Sequence, residues 1–528
     1  MPLLTVHGAR IPFQPGLSLR DILDGTDYRV RAGCSGTGAC GLCLVRIEQG
    51  MVGEPTQVEK LHLDQASLEE GLRLACQVIP SEDLRITIVS GAPLPGWKRP
   101  VRSHVKEYGF VDRKDLPAGV EHPLGIAVDL GTTFIGLSLW DFTSGRCVTG
   151  RQGVNPQTGH GSDVMTRLLC ACESDQKART LREQAFEAIG EALQDISLRE
   201  GINPHEIVRM VLVGNTAMLT LLGGTNHELL LKPRYWTIPI DSPVEYLQRW
   251  PAQHGIHLSG SVWVVPSLAG FVGSDLLAGV LSTELTEKGN GALLIDFGTN
   301  TEMALWDGKS LWVTSAAGGP AFEGSGIGCG MPAEKGAIFR ISLDKSRFAF
   351  DVVDGAAPLG LCGSGLVDLL AILVRSGWLD ETGRFLPTID PGGFVLSTDH
   401  PGIVLTKKDV DTIQRAKAAI ATGVRILMAE AGLGRKELKR LYVGGTFGQW
   451  LDVANAQEIG LLPDIEATSI SLCGNTALAG CEDLLMSPSC VKRLEGIRAC
   501  AKVVDLSAHV GFQDSFIENL YLRRMRMR

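Results

Sequence analysis

The chain has 528 residues, more than one hydrophobic core supports, so two or three domains are expected. Hydrophobic residues make up 44% and charged residues 21%, an ordinary globular balance, and the net charge of −9 argues against a nucleic-acid binder. No apolar run reaches about 18 residues and no basic n-region opens the chain, so neither a transmembrane helix nor a signal peptide is expected.

The first strong signal is Cys34, Cys40 and Cys43 in one glycine-rich loop, followed by Cys76. Four thiolates are what a [2Fe–2S] cluster needs, and the spacing is one residue longer than the plant-type C-x4-C-x2-C. Gly33, Gly36, Gly38 and Gly41 let the loop wrap closely and turn backbone N–H groups toward inorganic sulfur. The alternative is structural zinc, whose ligands usually come as two close pairs, whereas here three cysteines share one loop. Leu3–Val6, Leu44–Ile47 and Ile86–Val89 read as strands around it. Residues 1–92 resemble a ferredoxin, which implies a β-grasp fold with the four cysteines as ligands. The other nine of the thirteen cysteines lack the spacing of a disulfide framework and suit a reducing cytoplasm.

Residues 93–121 read as a linker. Pro93, Pro95, Pro100 and Pro117 interrupt regular structure, and Lys98, Arg99, Arg102, Lys106, Arg113 and Lys114 make it basic. It reads as a solvated tether on which the ferredoxin swings over at most about 100 Å; the alternative is a docking strip for an acidic partner.

From residue 122 the pattern becomes α/β, and it repeats. A strand ends in Asp129-Leu-Gly-Thr-Thr133 and returns as Phe134–Trp140; another ends in Asp296-Phe-Gly-Thr-Asn300 and returns as Thr301–Trp306. Each hairpin is answered later by a strand running into glycine, at Val211–Gly214 and at Leu441–Gly445. This order, repeated, is an internal duplication, with lobes at roughly 122–285 and 286–528 and a cleft between them. Helices are expected over 178–200, 362–379 and 407–431 from apolar residues at helical spacing.

Two Asp-x-Gly-Thr hairpins can grip a nucleoside triphosphate. Gly131, Thr132, Thr133, Gly298, Thr299 and Asn300 would approach and donate to phosphate oxygens, and Asp129 and Asp296 would hold Mg²⁺, largely through water. No Walker motif or G-x-G-x-x-G is present. Residues 124–528 resemble the superfamily of actin, Hsp70-type chaperones and sugar kinases, with Val443-Gly-Gly-Thr-Phe-Gly448 similar to its adenosine motif. That likeness puts Gly444, Gly445 and Thr446 at adenosine. Lys417 is read either as a phosphate or ribose contact or as an exposed lysine, and Glu323 either as catalytic or as a brace of its glycine-rich loop. Cys329 and Cys362 read as buried thiols, with an inter-subunit cluster site as the alternative, and the Arg523–Arg528 tail as a solvated end.

A ferredoxin joined to this ATPase fold resembles the reductive activators of corrinoid proteins. Asn155-Pro-Gln, Gly161-Ser-Asp-Val-Met, Val213-Gly-Asn-Thr-Ala-Met, Ala269–Asp275, Ala317–Gly324, Cys362-Gly-Ser-Gly-Leu, Ala416–Ile420 and Gly474–Ala479 carry that likeness. Longer members have a middle domain between ferredoxin and ATPase, where this chain has only the linker. Cys473, Cys481, Cys490 and Cys500 lack the compact spacing of a further cluster. The resemblance implies ATP-dependent return of Co(II) to Co(I) for a methyltransferase system, with a [2Fe–2S] cluster, ATP and Mg²⁺. It also implies a corrinoid partner and a low-potential electron donor in the cytoplasm, with neither nucleic acid nor membrane, and it is compatible with a homodimer. A plant-type centre lies near −400 mV, so ATP would have to make up a shortfall of about 2–5 kcal/mol. The competing readings are a small-metabolite kinase regulated by a redox-sensing ferredoxin and a non-enzymatic redox scaffold.

Overall fold

The computed structural model describes residues 2–24, 26, 28, 30–31, 34, 36–91, 97–98, 106–117, 119–200, 202–240, 258, 260–344, 347–355, 357–396, 402–445 and 447–526. Gly33, Pro93, Pro95, Arg99, Pro100, Arg102, Thr446 and the last two residues of the arginine-rich tail lie outside the described residues. The chain divides into two compact units. One is Met1–Gly96 with Pro156–Cys170; the other is Trp97–Asn155 with Ala171–Arg528. Among the described residues no helix is long and apolar enough to cross a membrane.

The first unit is built on β1 (Leu3–Val6), β2 (Ala9–Pro12), β3 (Leu44–Gln49), β4 (Leu72–Leu74) and β5 (Leu84–Ile88), in the order β2-β1-β5-β3-β4. β1 runs parallel to β5, and the other pairs are antiparallel. Alternation along the strands turns Leu4, Val6, Val45, Leu74 and Ile86 into one core with Leu19 and Leu23 of the helix Leu19–Asp24. Glu59 is fully buried, and both its oxygens take the Arg73 guanidinium, at 2.8 and 2.9 Å. The same carboxylate caps its own helix at Thr56 and accepts from the Leu74 backbone at 3.0 Å. That pairing fixes β4 two residues before Cys76.

The second unit holds two larger sheets. The first comprises β6 (Leu124–Leu130), β7 (Phe134–Asp141), β8 (Arg146–Val154), β9 (Ile207–Gly214) and β10 (Ser261–Val264), ordered β10-β9-β6-β7-β8. The second comprises β11 (Ala292–Phe297), β12 (Thr301–Trp306) and β13 (Leu311–Ala316) with β19 (Arg440–Gly444), β20 (Ile470–Gly474) and β21 (Ala501–Val503), ordered β20-β19-β11-β12-β13-β21. Between β13 and β19 in sequence stand a small sheet of β14 (Ala337–Asp344), β15 (Arg347–Val352) and β16 (Gly360–Leu361), and a ribbon of β17 (Phe394–Val395) and β18 (Val404–Leu405). β6 pairs antiparallel with β7 and parallel with β9; β11 pairs antiparallel with β12 and parallel with β19. This is one topology used twice. Helices Ser274–Ser282 and Thr476–Met486 pack into a core that takes Ala127 and Val211 from one sheet and Leu294 and Ala304 from the other.

Three expectations change. The linker is not a free tether where it is described. Lys98 and Gln152 exchange backbone hydrogen bonds at 2.9 and 2.8 Å, and Tyr108 packs edge-on against Trp140 and donates to Asp483 at 2.8 Å. β8 is an edge strand, and an unpaired edge accepts an extra strand. Residues 156–170 group with the cysteine-bearing unit rather than with the chain on either side of them. The tail is held as well: Arg524 pairs with Asp464 at 2.7 Å, and Met525 is buried.

Candidate functional site

Cys34, Cys43 and Cys76 are buried and Cys40 is half-buried. The thiols meet two by two. Cys34 is pulled down to about 4 by the hydrogen bond from Cys40 and by the Cys40 and Gly38 backbone. Cys43 donates to Cys76, which holds the Cys43 thiol up and brings Cys76 down to about 7. Among the described residues no group of three or more His, Cys, Asp or Glu side chains is gathered to hold a metal ion. A single tetrahedral zinc needs four donors around one point; two irons take two thiolates each. The paired arrangement therefore fits an iron–sulfur centre better than zinc. Gln77, which the sequence reading passed over, donates to the Gly36 carbonyl at 3.2 Å and reaches the Cys76 sulfur at 3.5 Å. It ties the three-cysteine loop to the fourth cysteine. Arg20 adds a buried positive charge that lowers Cys76 further, and its guanidinium donates to the Gly159 carbonyl.

The second site is a cleft with about 810 Å³ of empty space in the second unit. Asp129, Gly131, Thr132 and Thr133 line it from the β6–β7 hairpin; Asp296, Gly298, Thr299 and Asn300 line it from the β11–β12 hairpin. Gly445 joins them. Its φ of +86° is open to glycine, and a Cβ there would stand 2.0 Å from the Phe297 carbonyl oxygen. Gly444 lies behind the wall, where a Cβ would meet the Asp296 carboxylate at 2.9 Å. Lys417 does not line the cleft and is not exposed: it is buried, and its ammonium donates to the carbonyls of Asn519 and Tyr521, both at 2.6 Å. Burial, then the neighbouring Arg523 charge, lowers it to about 7.

The cleft is strongly acidic. Burial raises Asp129 to about 7 and Asp296 to about 6. Burial also raises Asp275 to about 6 and puts Glu302 well above the usual carboxylate range, with the two hydrogen-bonded to each other. Neither Asp275 nor Glu302 was expected here. Such a set suits a hydrated divalent cation, which would relieve the like-charge crowding.

Two Gly-Asn-Thr-Ala stretches, at 214–217 and 474–477, support the hairpins, the second through both aspartates. Asn215 donates to Thr132 Oγ1 at 2.8 Å. Asn475 donates to Asp129 at 2.7 Å, and Thr476 donates to Asp296 at 2.6 Å. Both asparagines also cap the helix that follows. Asn155 donates to the Gly131 carbonyl at 2.9 Å and so holds the first hairpin from behind. Glu323 takes the Thr133 hydroxyl at 2.9 Å and the Thr299 hydroxyl at 3.0 Å. Phe322 beside it joins Phe297 and Phe447 in a cluster with ring centroids 4.9–6.3 Å apart. The repeated stretches were visible in sequence; their contacts with the aspartates were not.

Comparison with known proteins covers both sites. The family model described as a 2Fe–2S iron–sulfur cluster binding domain matches residues 4–81. The "RACo middle region" matches 124–288, and the "C-terminal domain of RACo the ASKHA domain" matches 290–528. The middle region is thus present as the first half of the duplicated fold, not as an extra domain ahead of it. The corrinoid activation enzyme RamQ of Eubacterium limosum is 31% identical over 76% of this chain and 70% of its own length. The [Co(II) methylated amine-specific corrinoid protein] reductase of Methanosarcina barkeri is 28% identical over 75% of this chain and 76% of its own. A solved structure titled as a reductive activator for corrinoid, iron–sulfur protein is 27% identical, with a TM-score of 0.68 over 100% of this chain and 99% of that one.

Proposed function

The chain belongs to the family of reductive activators of corrinoid proteins, and from that premise we propose that it returns a corrinoid protein from inactive Co(II) to Co(I) in an ATP-dependent step. One observation carries the reading: a single chain holds both a paired four-thiol loop and an acidic cleft between two Asp-x-Gly-Thr hairpins. A kinase would need the second and not the first.

Cys34 and Cys40 on one side and Cys43 and Cys76 on the other are the proposed ligands of a [2Fe–2S] centre, which supplies one-electron chemistry at low potential when bound. The Gly38 and Cys40 N–H groups and the Gln77 amide steady the thiolates. In the cleft, Asp129 and Asp296 are proposed to hold Mg²⁺ through water, as befits an ion that keeps its hydration. Thr132, Thr133, Thr299 and Asn300 would donate to phosphate oxygens, and Gly445 would let the backbone pass close to the nucleoside. Asn475 and Thr476 keep the two carboxylates aimed. Lys417 is given no part in this site: it does not line the cleft, and its ammonium is turned to the carbonyls of Asn519 and Tyr521. A reducing cytoplasmic setting is proposed from the sequence, where the nine cysteines outside the cluster site lack the spacing of a disulfide framework. The electron comes from a low-potential donor still to be identified.

The test is anaerobic. The iron-loaded protein, a Co(II) corrinoid protein, Mg²⁺ and a chemical reductant should give the Co(I) absorption spectrum only when ATP is added. ATP turnover that a Co(II) corrinoid protein leaves unchanged, with no Co(I) formed, would return the argument to the kinase reading.

A further inference from the structure

The phosphate grip described above leaves Glu323 without a role, yet its carboxylate stands between the two hairpins. One oxygen accepts from Thr133 at 2.9 Å and from Thr299 at 3.0 Å, and the two hydroxyls are themselves 2.9 Å apart. A hydroxyl has a single proton to give. With both protons given to Glu323, neither remains for a phosphate oxygen. The residue lines the cleft beside both aspartates, so an incoming terminal phosphate meets an anion already seated on the donors it needs.

We infer that Glu323 is a specificity-determining residue that sets a cost on triphosphate binding alone: the terminal phosphate of a nucleoside triphosphate must displace it, and a diphosphate need not. The inference rests on the ATP reading of the cleft. With the cleft empty, the carboxylate clasps one hydroxyl from each hairpin. A terminal phosphate takes over those two hydrogen bonds and repels the carboxylate; a diphosphate leaves the clasp closed. The chain after Glu323 accommodates such a shift, because Gly324 has a φ of +85° and begins a segment with glycine at every second position through Gly330. Phe322 packs on Phe297 of the second hairpin and on Phe447 of the adenosine motif, so displacement of the carboxylate is felt in both.

The experiment is calorimetric titration of the full-length protein with Mg²⁺ and either AMPPNP or ADP. Wild type is compared with Glu323→Ala and Glu323→Gln. Removing a charged acceptor that competes for two donors should tighten AMPPNP binding about tenfold in Glu323→Ala. ADP should stay within about twofold, and Glu323→Gln should move in the same direction by less. An AMPPNP-to-ADP affinity ratio that is unchanged or lower overturns the clasp, and is the pattern of a carboxylate that only activates water. Should Glu323→Ala fail to fold, the isosteric Glu323→Gln decides by the same ratio. Wild-type protein that binds neither nucleotide sinks the ATP reading itself, and the clasp with it.

Discussion

At the scale of single residues, the proposed Mg²⁺ site is one where protons would compete with the cation. Asp129 at about 7 and Asp296 at about 6 are raised by burial, so without a cation they bind protons more tightly in the folded chain than in the unfolded one. The cation-free protein should therefore gain stability as pH falls from 8 toward 5, seen as a rising Tm, until the carboxyls of the unfolded chain titrate too. ATP turnover should run the other way and fall as Asp129 and Asp296 take protons. Asp129→Ala and Asp296→Ala should each lower turnover roughly hundredfold, with the iron content unchanged. Asn475→Ser is a finer probe. It keeps an oxygen for the helix cap but loses the amide that donates to Asp129 and favours its charged form. The acid limb of the turnover profile should move to higher pH; an unmoved limb would leave Asn475 a capping role alone. The two aspartates and the four cysteines could be read from sequence because each sits in a short motif with its own chemistry. Asn475 could not, since its partner lies 346 positions away. Lys417 shows the opposite failure: an amphipathic helix places a lysine on a face, but only the packed C-terminus shows that face to be covered.

At the scale of elements, the hairpins carry the site, and their turns were legible for a physical reason. A strand that ends in a carboxylate and then Gly-Thr must reverse tightly, and the returning strand shows the alternation that confirms it. The linker was not legible. Proline and basic residues read as solvated chain, and nothing local reveals that β8 offers Lys98 a free edge or that Asp483 awaits Tyr108. Gly445→Ala tests the close approach of β19 to the second hairpin. The added Cβ meets the Phe297 carbonyl in a backbone conformation that L-residues rarely adopt, so Phe297-Gly298-Thr299 must shift. Nucleotide binding should weaken at least about tenfold while the cysteine-bearing unit keeps its iron. Unchanged affinity would mean that the nucleoside does not pass Gly445.

At the scale of the whole molecule, the chain passes between its two units three times, after Gly96, after Asn155 and after Cys170. The second crossing has chemistry at both ends. Asn155 holds the Gly131 carbonyl of the first hairpin, and Gly159, four residues on, accepts from Arg20 beside the fourth cysteine. The units nevertheless have separate cores. The core around the cysteines runs from Leu4 to Ile86, so Cys40→Ser or Cys76→Ser should lose the visible absorption of the cluster and leave ATP turnover intact. For the same reason a fragment ending at Gly91 should fold, hold iron and accept an electron. It should not activate a corrinoid protein, and adding residues 122–528 in trans should restore little. Joined in one chain, the two units share an effective concentration in the millimolar range; fragments at micromolar levels lose that advantage and the Asn155–Gly159 connection together. The measurement is the rate at which Co(II) absorption gives way to Co(I), with and without ATP. If the free fragment matched the full chain without ATP, the cleft would have no energetic part in the step, and the electron alone would suffice.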